Sequence, residues 1–399
     1  MLDGYIYDGL RTPFGRHAGK LASVRPDDMV AAVMKTLLQR TAIEPGQIED
    51  VILGCACQAG EDSRNIARHA LLLAGFPPST PGMTVNRLCS SGMAAVVDAA
   101  RAVTCGEGDL YVAGGVESMS RAPFVMSKAE SAYSRDFKVF DSSIGARFPN
   151  PAITAAYGAD TMTETADNVA RELGISREDS DRFALASQAR YKAAKDSGFY
   201  DDELTPVTVP QGKKPPIVVA DDEHPRSDTT LDALARLKPL SPNGVVTAGS
   251  ASGVNDGAAA LLVGSLTFGK KHGKKPLARI LSSAAVGVEP RIMGLGPVGA
   301  IQKALDRAGR TLKEMDVIEI NEAFAPQVLG CLKLLAIAFD DRRVNPNGGA
   351  IAVGHPLGAS GARLTLTAVR QLHRSQARYA VASLCVGVGQ GLAITLERC

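Results

Sequence analysis

Apolar residues recur along this chain with two periods. Between residues 27 and 43, Met29, Val30, Val33, Met34, Leu37 and Leu38 fall three and four apart, the spacing of one helix face, and Glu44-Pro45-Gly46 ends the run. Residues 65–74 repeat that spacing up to Gly75, and residues 89–104 carry small and apolar side chains that predict a third, packed helix. Between these lie short apolar runs: Asp50-Val51-Ile52-Leu53-Gly54, the lead-in Val85 to Leu88, and Leu110-Tyr111-Val112-Ala113-Gly114-Gly115. Such runs read as strands buried on both faces, and strands alternating with helices predict a parallel sheet covered on both sides.

The pattern changes near residue 119. Arg121-Ala122-Pro123 and the stretch 142–151 read as loop, residues 162–173 and 177–197 as amphipathic helices, and 206–239 is rich in proline and charge. This predicts a subdomain at 119–253 inserted into a half made of 1–118 plus 254–272, with core sequence resuming as a helix start or turn and then a hydrophobic strand in Asn255 to Val263. The remainder, 273–399, echoes the start. Asp316-Val317-Ile318 repeats Asp50-Val51-Ile52, Ser360-Gly361 repeats Ser91-Gly92, and Tyr379-Ala380-Val381-Ala382 repeats the strand beginning at Tyr111. So long a repeat predicts two βα halves about a pseudo-twofold axis, their strand ends facing one cleft, and not a solenoid.

Composition narrows the class. With 399 residues, 45% hydrophobic and 22% charged, the chain is globular, and 44 basic against 42 acidic side chains leave no field that would favour nucleic acid. Seven cysteines without a regular framework read as reduced thiols. Cys55-Ala56-Cys57 is the nearest approach to a metal motif, and no second pair completes it, so no metal site is expected. Neither a leader nor a run of 18 apolar residues is read, so a cytoplasmic protein without a membrane partner is expected.

Three short stretches carry candidate chemistry. Cys89, in Asn86-Arg87-Leu88-Cys89-Ser90-Ser91-Gly92, sits at a strand-to-helix corner. Unpaired N–H groups and the helix dipole there favour a thiolate, so its pKa is expected to fall below the free value of about 8.5. The alternative is a small buried core cysteine. Gly354-His355-Pro356-Leu357-Gly358 fixes a histidine just before the helix that mirrors the Cys89 helix, and Leu384-Cys385-Val386-Gly387-Val388-Gly389 puts a second cysteine at a strand end among glycines. Glu319-Ile320-Asn321-Glu322-Ala323-Phe324-Ala325 places polar groups directly after a buried strand, where ligand sites of α/β folds lie.

Together with Arg11-Thr12-Pro13, Gly114-Gly115-Val116-Glu117-Ser118-Met119-Ser120 and Ala251-Ser252-Gly253-Val254-Asn255-Asp256-Gly257, these motifs resemble the thiolase family along the whole chain. The resemblance implies a five-layer α/β/α/β/α fold with a loop subdomain, a homotetramer built as a dimer of dimers, and acyl transfer between coenzyme A thioesters with no permanently bound cofactor. It implies that Cys89 is acylated, that His355 takes its proton, and that Cys385 is the acid/base at the α-carbon. One oxyanion is then held by His355 and a water on Asn321, the other by the backbone N–H groups of Cys89 and Gly387. Arg226 would meet the adenosine end of coenzyme A, Ala248, Ser252 and Gly253 the pantetheine, and Met162 and Phe324 the acyl end.

Ser250 and Ser90 depart from the family's usual Asn and small residue, which bears on the groove and leaves the three reactive side chains intact. Gly60-Glu61-Asp62-Ser63-Arg64-Asn65, residues 141–148 and residues 164–170 look most similar to the branch that acts on 3-oxoadipyl-CoA, with Arg147 a candidate partner for the far carboxylate. Acetoacetyl-CoA and broad-range 3-ketoacyl-CoA thiolases are the alternatives. A ketosynthase relative would lack Cys385, an idle acyl-CoA-binding scaffold would lack Cys89 or His355, and a cysteine hydrolase would need neither Cys385 nor a coenzyme A groove.

Overall fold

The computed structural model describes all 399 residues. The predicted helices form at Pro26–Thr41, Ile66–Leu73 and Ser91–Cys105. Pro26 at the first helical position, Asp27 and Asp28 in the first turn and a left-handed Ala42 define the first of them, and Asn65 caps the second by accepting from Arg68 N–H. The Leu88–Ser90 turn and the Ser91–Cys105 helix form one largely apolar stretch, 56% of it buried in the core.

Each half of the chain builds a sheet in the same order. In the first half the Gly4–Arg11 strand pairs with Asn255–Gly264, which pairs with Leu110–Ser118, then Asp50–Gly54, then Gly82–Val85. In the second, Ala278–Gly287 pairs with Gln390–Arg398, then Tyr379–Val386, then Val317–Ile320, and Val344 adds a parallel bridge at Ile318. The two orders correspond strand for strand, including the Asp50 and Asp316 strands and the Tyr111 and Tyr379 strands predicted as equivalents. Gly4–Ile6 pairs antiparallel with Ala278–Ile280 and joins both into one ten-stranded sheet. Only the outer members are parallel: Asp50–Gly54 with its two neighbours at one end of the sheet, and Val317–Ile320 with Tyr379–Val386 at the other. The expectation of a parallel sheet throughout is corrected, because the strands beside the halves' junction meet by hairpins and long returns. Asn255–Gly264 is strand over its whole length, with no preceding turn.

Strand alternation divides the core into three. Val51, Leu53, Leu110, Val112 and Leu262 face the Pro26–Thr41 and Ile66–Leu73 helices. Ile52, Tyr111, Ala113 and Leu261 from the first half, with Ala380, Ala382 and Leu384 from the second, face a shared middle layer. Val381, Ile318 and Ile320 face the Gly296–Ala308 and Ala325–Leu334 helices. The result is a helix, sheet, helix, sheet, helix stack. Its middle layer is the Ser91–Cys105 helix packed on its counterpart Leu357–Arg374.

Residues 119–253 leave the sheet after Ser118 and return at Asn255, where Asp256 pairs with Ser118. They contain the helices Met162–Leu173 and Arg177–Asp196, each opened by a capping box (Thr161 with Glu164, Ser176 with Asp179). The proline-rich stretch contains a hairpin, Val207–Gln211 with Lys214–Val219. Arg11 anchors this segment to the first strand: fully buried, it binds Glu203 at 2.7 Å and Asp222 at 2.6 and 2.9 Å.

Candidate active site

Cys89 stands at the end of a strained approach. Leu88 has φ +44°, a left-handed value that a side chain of its size rarely adopts, and the 3-10 turn Leu88–Ser90 bends the chain into the Ser91–Cys105 helix. The preceding strand is therefore Gly82–Val85 and not Val85–Leu88, since a left-handed residue cannot continue a ladder. Side chains brace the turn. Asn86 Oδ1 accepts from Leu88 N–H at 2.9 Å while its Nδ2 donates to Ala56 O, and Ser91 Oγ accepts from Arg87 N–H and donates to Leu88 O at 2.7 Å.

The Cys89 sulfur is met by the backbone N–H groups of Gly387 and of Cys89 itself. These donors do not make it a thiolate. Burial pushes the Cys89 thiol up to about 11, the N–H groups oppose that rise, and the charge of Glu117 adds to it. The expectation of a depressed pKa is corrected, because desolvation at this partly buried corner outweighs the helix terminus. Cys385 closes the Tyr379–Val386 strand and is 1% exposed. Burial, then the neighbouring Cys89 and Cys331 sulfurs, hold its thiol well above the ordinary range. The two thiols, one from each half, thus lie within electrostatic reach of each other. Gly387 is tight against the turn, since a Cβ there would stand 3.1 Å from Leu88 Cδ1.

His355 is 4% exposed and held at three points. Its N–H donates to Asn255 Oδ1 at 2.9 Å, Nδ1 is 2.6 Å from Ser360 Oγ, and Nε2 is 3.5 Å from Asn321 Nδ2. Ser360 gives its single hydroxyl hydrogen to Pro356 O at 2.9 Å, so the network assigns the proton to Nδ1 and the lone pair to Nε2. Burial, reinforced by the Arg363 charge, pushes the imidazole down to about 3, which keeps it neutral in the free enzyme with its Nε2 lone pair open. Asn321 is fully buried, its N–H donates to Ser383 O at 2.9 Å, and its Oδ1 has no protein partner. Asn321 is thereby tied to the strand of Cys385, and the Leu357–Arg374 helix behind His355 packs on the Leu88–Ser90 turn. Ser360 and Asn255 are the orienting residues that the sequence reading missed.

The proposed groove residues are found in two groups. Ser252 N–H donates to Ala323 O at 2.9 Å and Ala251 bridges Phe324, so Ser252 and Gly253 lie beside the Asn321 loop. Phe324, Ala251, Met293 and Ala166 form an apolar cluster with Cys385, and Met162 lies one helical turn before Ala166 with 36% of its surface open. Gly253 and the exposed Arg226 line a cavity of about 380 Å³ together with Arg16, His17, Lys20 and His224. Ala248 is exposed at a turn closed by Ser250 Oγ, which accepts from Thr247 N–H at 2.9 Å, so serine here serves the local turn. Arg147 Nη2 donates to Cys57 O at 2.5 Å.

Cys55, Asp62 and Glu117 place three potential ligand atoms within 4.8 Å of one another. The Glu117 oxygens already accept from Ala56, Cys57 and Gly358 N–H groups at 2.8 to 3.0 Å, which makes this carboxylate a clamp between the two halves.

Two thiols, a neutral imidazole and directed N–H groups in a five-layer stack define an acyl-transferring thiol enzyme. Residues 5–266 match the thiolase N-terminal domain and residues 274–398 the thiolase C-terminal domain. The chain is 55% identical over 400 residues to the beta-ketoadipyl-CoA thiolase of Acinetobacter baylyi, with 100% of both chains covered. It is 56% identical, again over 100% of both, to the 3-oxoadipyl-CoA/3-oxo-5,6-dehydrosuberyl-CoA thiolase of Escherichia coli K12. The crystal structure of human mitochondrial 3-ketoacyl-CoA thiolase in complex with CoA matches with a TM-score of 0.92 at 40% identity, covering 100% of this chain and 98% of that one. The chain belongs to the thiolase family, as an acyltransferase.

A thiol raised to about 11 beside an imidazole lowered to about 3 predicts a neutral pair at pH 7. In the free enzyme, alkylation of Cys89 by iodoacetamide should therefore keep accelerating as pH rises from 7 to 9. A rate that is already level below pH 7 would show a preformed thiolate–imidazolium pair instead.

Proposed function

We propose that this enzyme cleaves 3-oxoacyl-CoA thioesters whose acyl chain ends in a second carboxylate, 3-oxoadipyl-CoA foremost, and can run the reverse condensation. The observation that carries this reading is full-length identity of 55 and 56% to two thiolases named for such dicarboxylic substrates, joined to a site with both thiols present.

The residues account for each proton. Cys89 Sγ attacks the 3-oxo carbon as His355 Nε2 takes its proton, and the oxyanion that forms is met by the N–H groups of Cys89 and Gly387. The carbon–carbon bond then breaks. The departing enolate oxygen is stabilised by the newly protonated His355 and by water on Asn321, and Cys385 gives its proton to the α-carbon to complete acetyl-CoA. Cys385, now a thiolate, takes the proton of a coenzyme A thiol as its sulfur attacks acyl-Cys89; the shortened acyl-CoA departs, and His355 returns its proton to the Cys89 sulfur, which restores the starting state. Coenzyme A is the acceptor and the only cofactor invoked: its phosphates suit the basic cavity of Arg16, Lys20 and Arg226, and its pantetheine the Gly253–Ser252 path toward Phe324 and Cys385.

Cys89→Ser should form no acyl-enzyme with acetyl-CoA, whereas Cys385→Ser should still acylate Cys89 and fail at carbon–carbon bond cleavage, as read by intact-mass spectrometry and turnover. Loss of acylation in both variants would remove the division of labour. Among 3-oxoadipyl-CoA, acetoacetyl-CoA and a longer 3-oxoacyl-CoA, the first should lead in kcat/KM by about tenfold or more, equivalent to about 1.4 kcal/mol of transition-state binding. Arg147→Ala should narrow that lead, and equal rates on all three thioesters would overturn the dicarboxylate assignment.

We also infer a homotetramer. Phe124, Met126, Tyr133, Phe137, Ile144 and Ile153 are all more than half exposed within one stretch of the inserted segment, an apolar surface that suits association. Light scattering should give four times the chain's mass, and a monomer would contradict it.

A further inference from the structure

Glu319 lies two residues before Asn321 on the Val317–Ile320 strand. Alternation sends Ile318 and Ile320 to the outer core and Val317 to the middle layer, so Glu319 points with Val317 toward the Leu357–Arg374 helix. That inner helix carries Ser360, Arg363 and Thr367 at i, i+3 and i+7, one buried polar stripe, while its other buried polar side chain, Thr365, is satisfied within the helix by Gly361 O. Ser360 orients His355, and Thr367 Oγ1 donates to Glu203 at 3.2 Å. Between them, Arg363 is 1% exposed and its Nε and Nη2 have no partner. Both Glu319 oxygens are likewise buried and unpartnered.

Four unpartnered polar atoms enclosed behind one site are rare. Buried polar atoms are bonded to protein or to ordered water, and an ion left bare costs several kcal/mol. Burial pushes the Glu319 carboxyl up to about 8 against the opposing charge of Arg363, which also acts on His355, so the three side chains share one region. Enclosed water can satisfy all four atoms at once.

We infer that Glu319 and Arg363 face each other across enclosed water and act as the positioning residues of the site, locking the strand end that carries Asn321 to the helix whose Ser360 orients His355. The inference rests on His355 and Asn321 being the pair that receives the enolate oxygen. Neither residue lines the basic cavity at Arg226, so their loss falls on the chemical step and not on coenzyme A binding.

The test uses the full-length enzyme and the double variant Glu319→Met/Arg363→Met, which removes the buried carboxyl and the Arg363 charge together at similar volume and therefore can fold without a bare ion. Its kcat should fall by about tenfold or more while the KM for coenzyme A stays within about twofold and the melting temperature holds or rises. Glu319→Gln and Arg363→Lys, which keep a donor or acceptor for water, should retain kcat within about threefold of the parent. A folded double variant with parental kcat would overturn the inference, as would a kcat loss that only tracks melting temperature. A crystal structure of the parent should show water bonded to both side chains, and a dry gap or a direct ion pair would overturn it independently of any variant. If the parent itself forms no acyl-Cys89, the acyl-transfer reading fails first, and the two failures are told apart.

Discussion

Backbone pressed against backbone at a few glycines is the constraint on which this structure depends. A Cβ on Gly92 would stand 2.5 Å from Gly358 O, one on Gly115 2.0 Å from the same oxygen, and one on Gly54 2.2 Å from Ser91 C. The start of the Leu357–Arg374 helix is thereby seated directly on the nucleophile helix and on the first half's sheet. Glu117 fixes the seat, since its carboxylate accepts from Gly358 N–H at a helix N-terminus, where negative charge is favoured. Because His355 precedes that helix by two residues and Cys89 precedes the other by two, the close approach of the helices sets the distance between the groups before them.

The same closeness sets the chemistry. Small residues leave little room for solvent, so burial dominates the pKa of every reactive group, raising both thiols and lowering the imidazole. The groups wait uncharged, and charge arises only when a thioester supplies an electrophile beside donors already in place. Each half contributes one sulfur, and the inserted segment, anchored through buried Arg11, brings Arg226 and His224 to a cavity that Arg16, His17 and Lys20 of the first half complete.

Much of this was legible in the chain. Cys89, His355 and Cys385 announced themselves by glycine-flanked positions at strand and helix ends, and the echo of Asp50-Val51-Ile52 in Asp316-Val317-Ile318 marks strands that occupy equivalent places. What stayed hidden depends on partners remote in sequence. The antiparallel strands at the junction arise from pairings across more than two hundred residues, such as Tyr5 with Gly264. The left-handed Leu88 follows from bonds to Asn86 and Ser91 that no apolar periodicity records, and the high thiol pKa follows from a burial that the helix-terminus argument leaves out. Ser360, Glu319 and Arg363 read as ordinary polar residues until the helix that carries two of them is seen to be enclosed.

The central claim is that the glycine contact delivers two thiols from opposite halves into one pocket. The most direct measurement is treatment of the native enzyme with a short bis-alkylating thiol reagent, followed by peptide mass spectrometry, alongside Gly358→Ala. The account predicts a Cys89–Cys385 linked peptide pair in the native enzyme and its loss in the variant. Native enzyme in which both sulfurs are alkylated but never linked would contradict it.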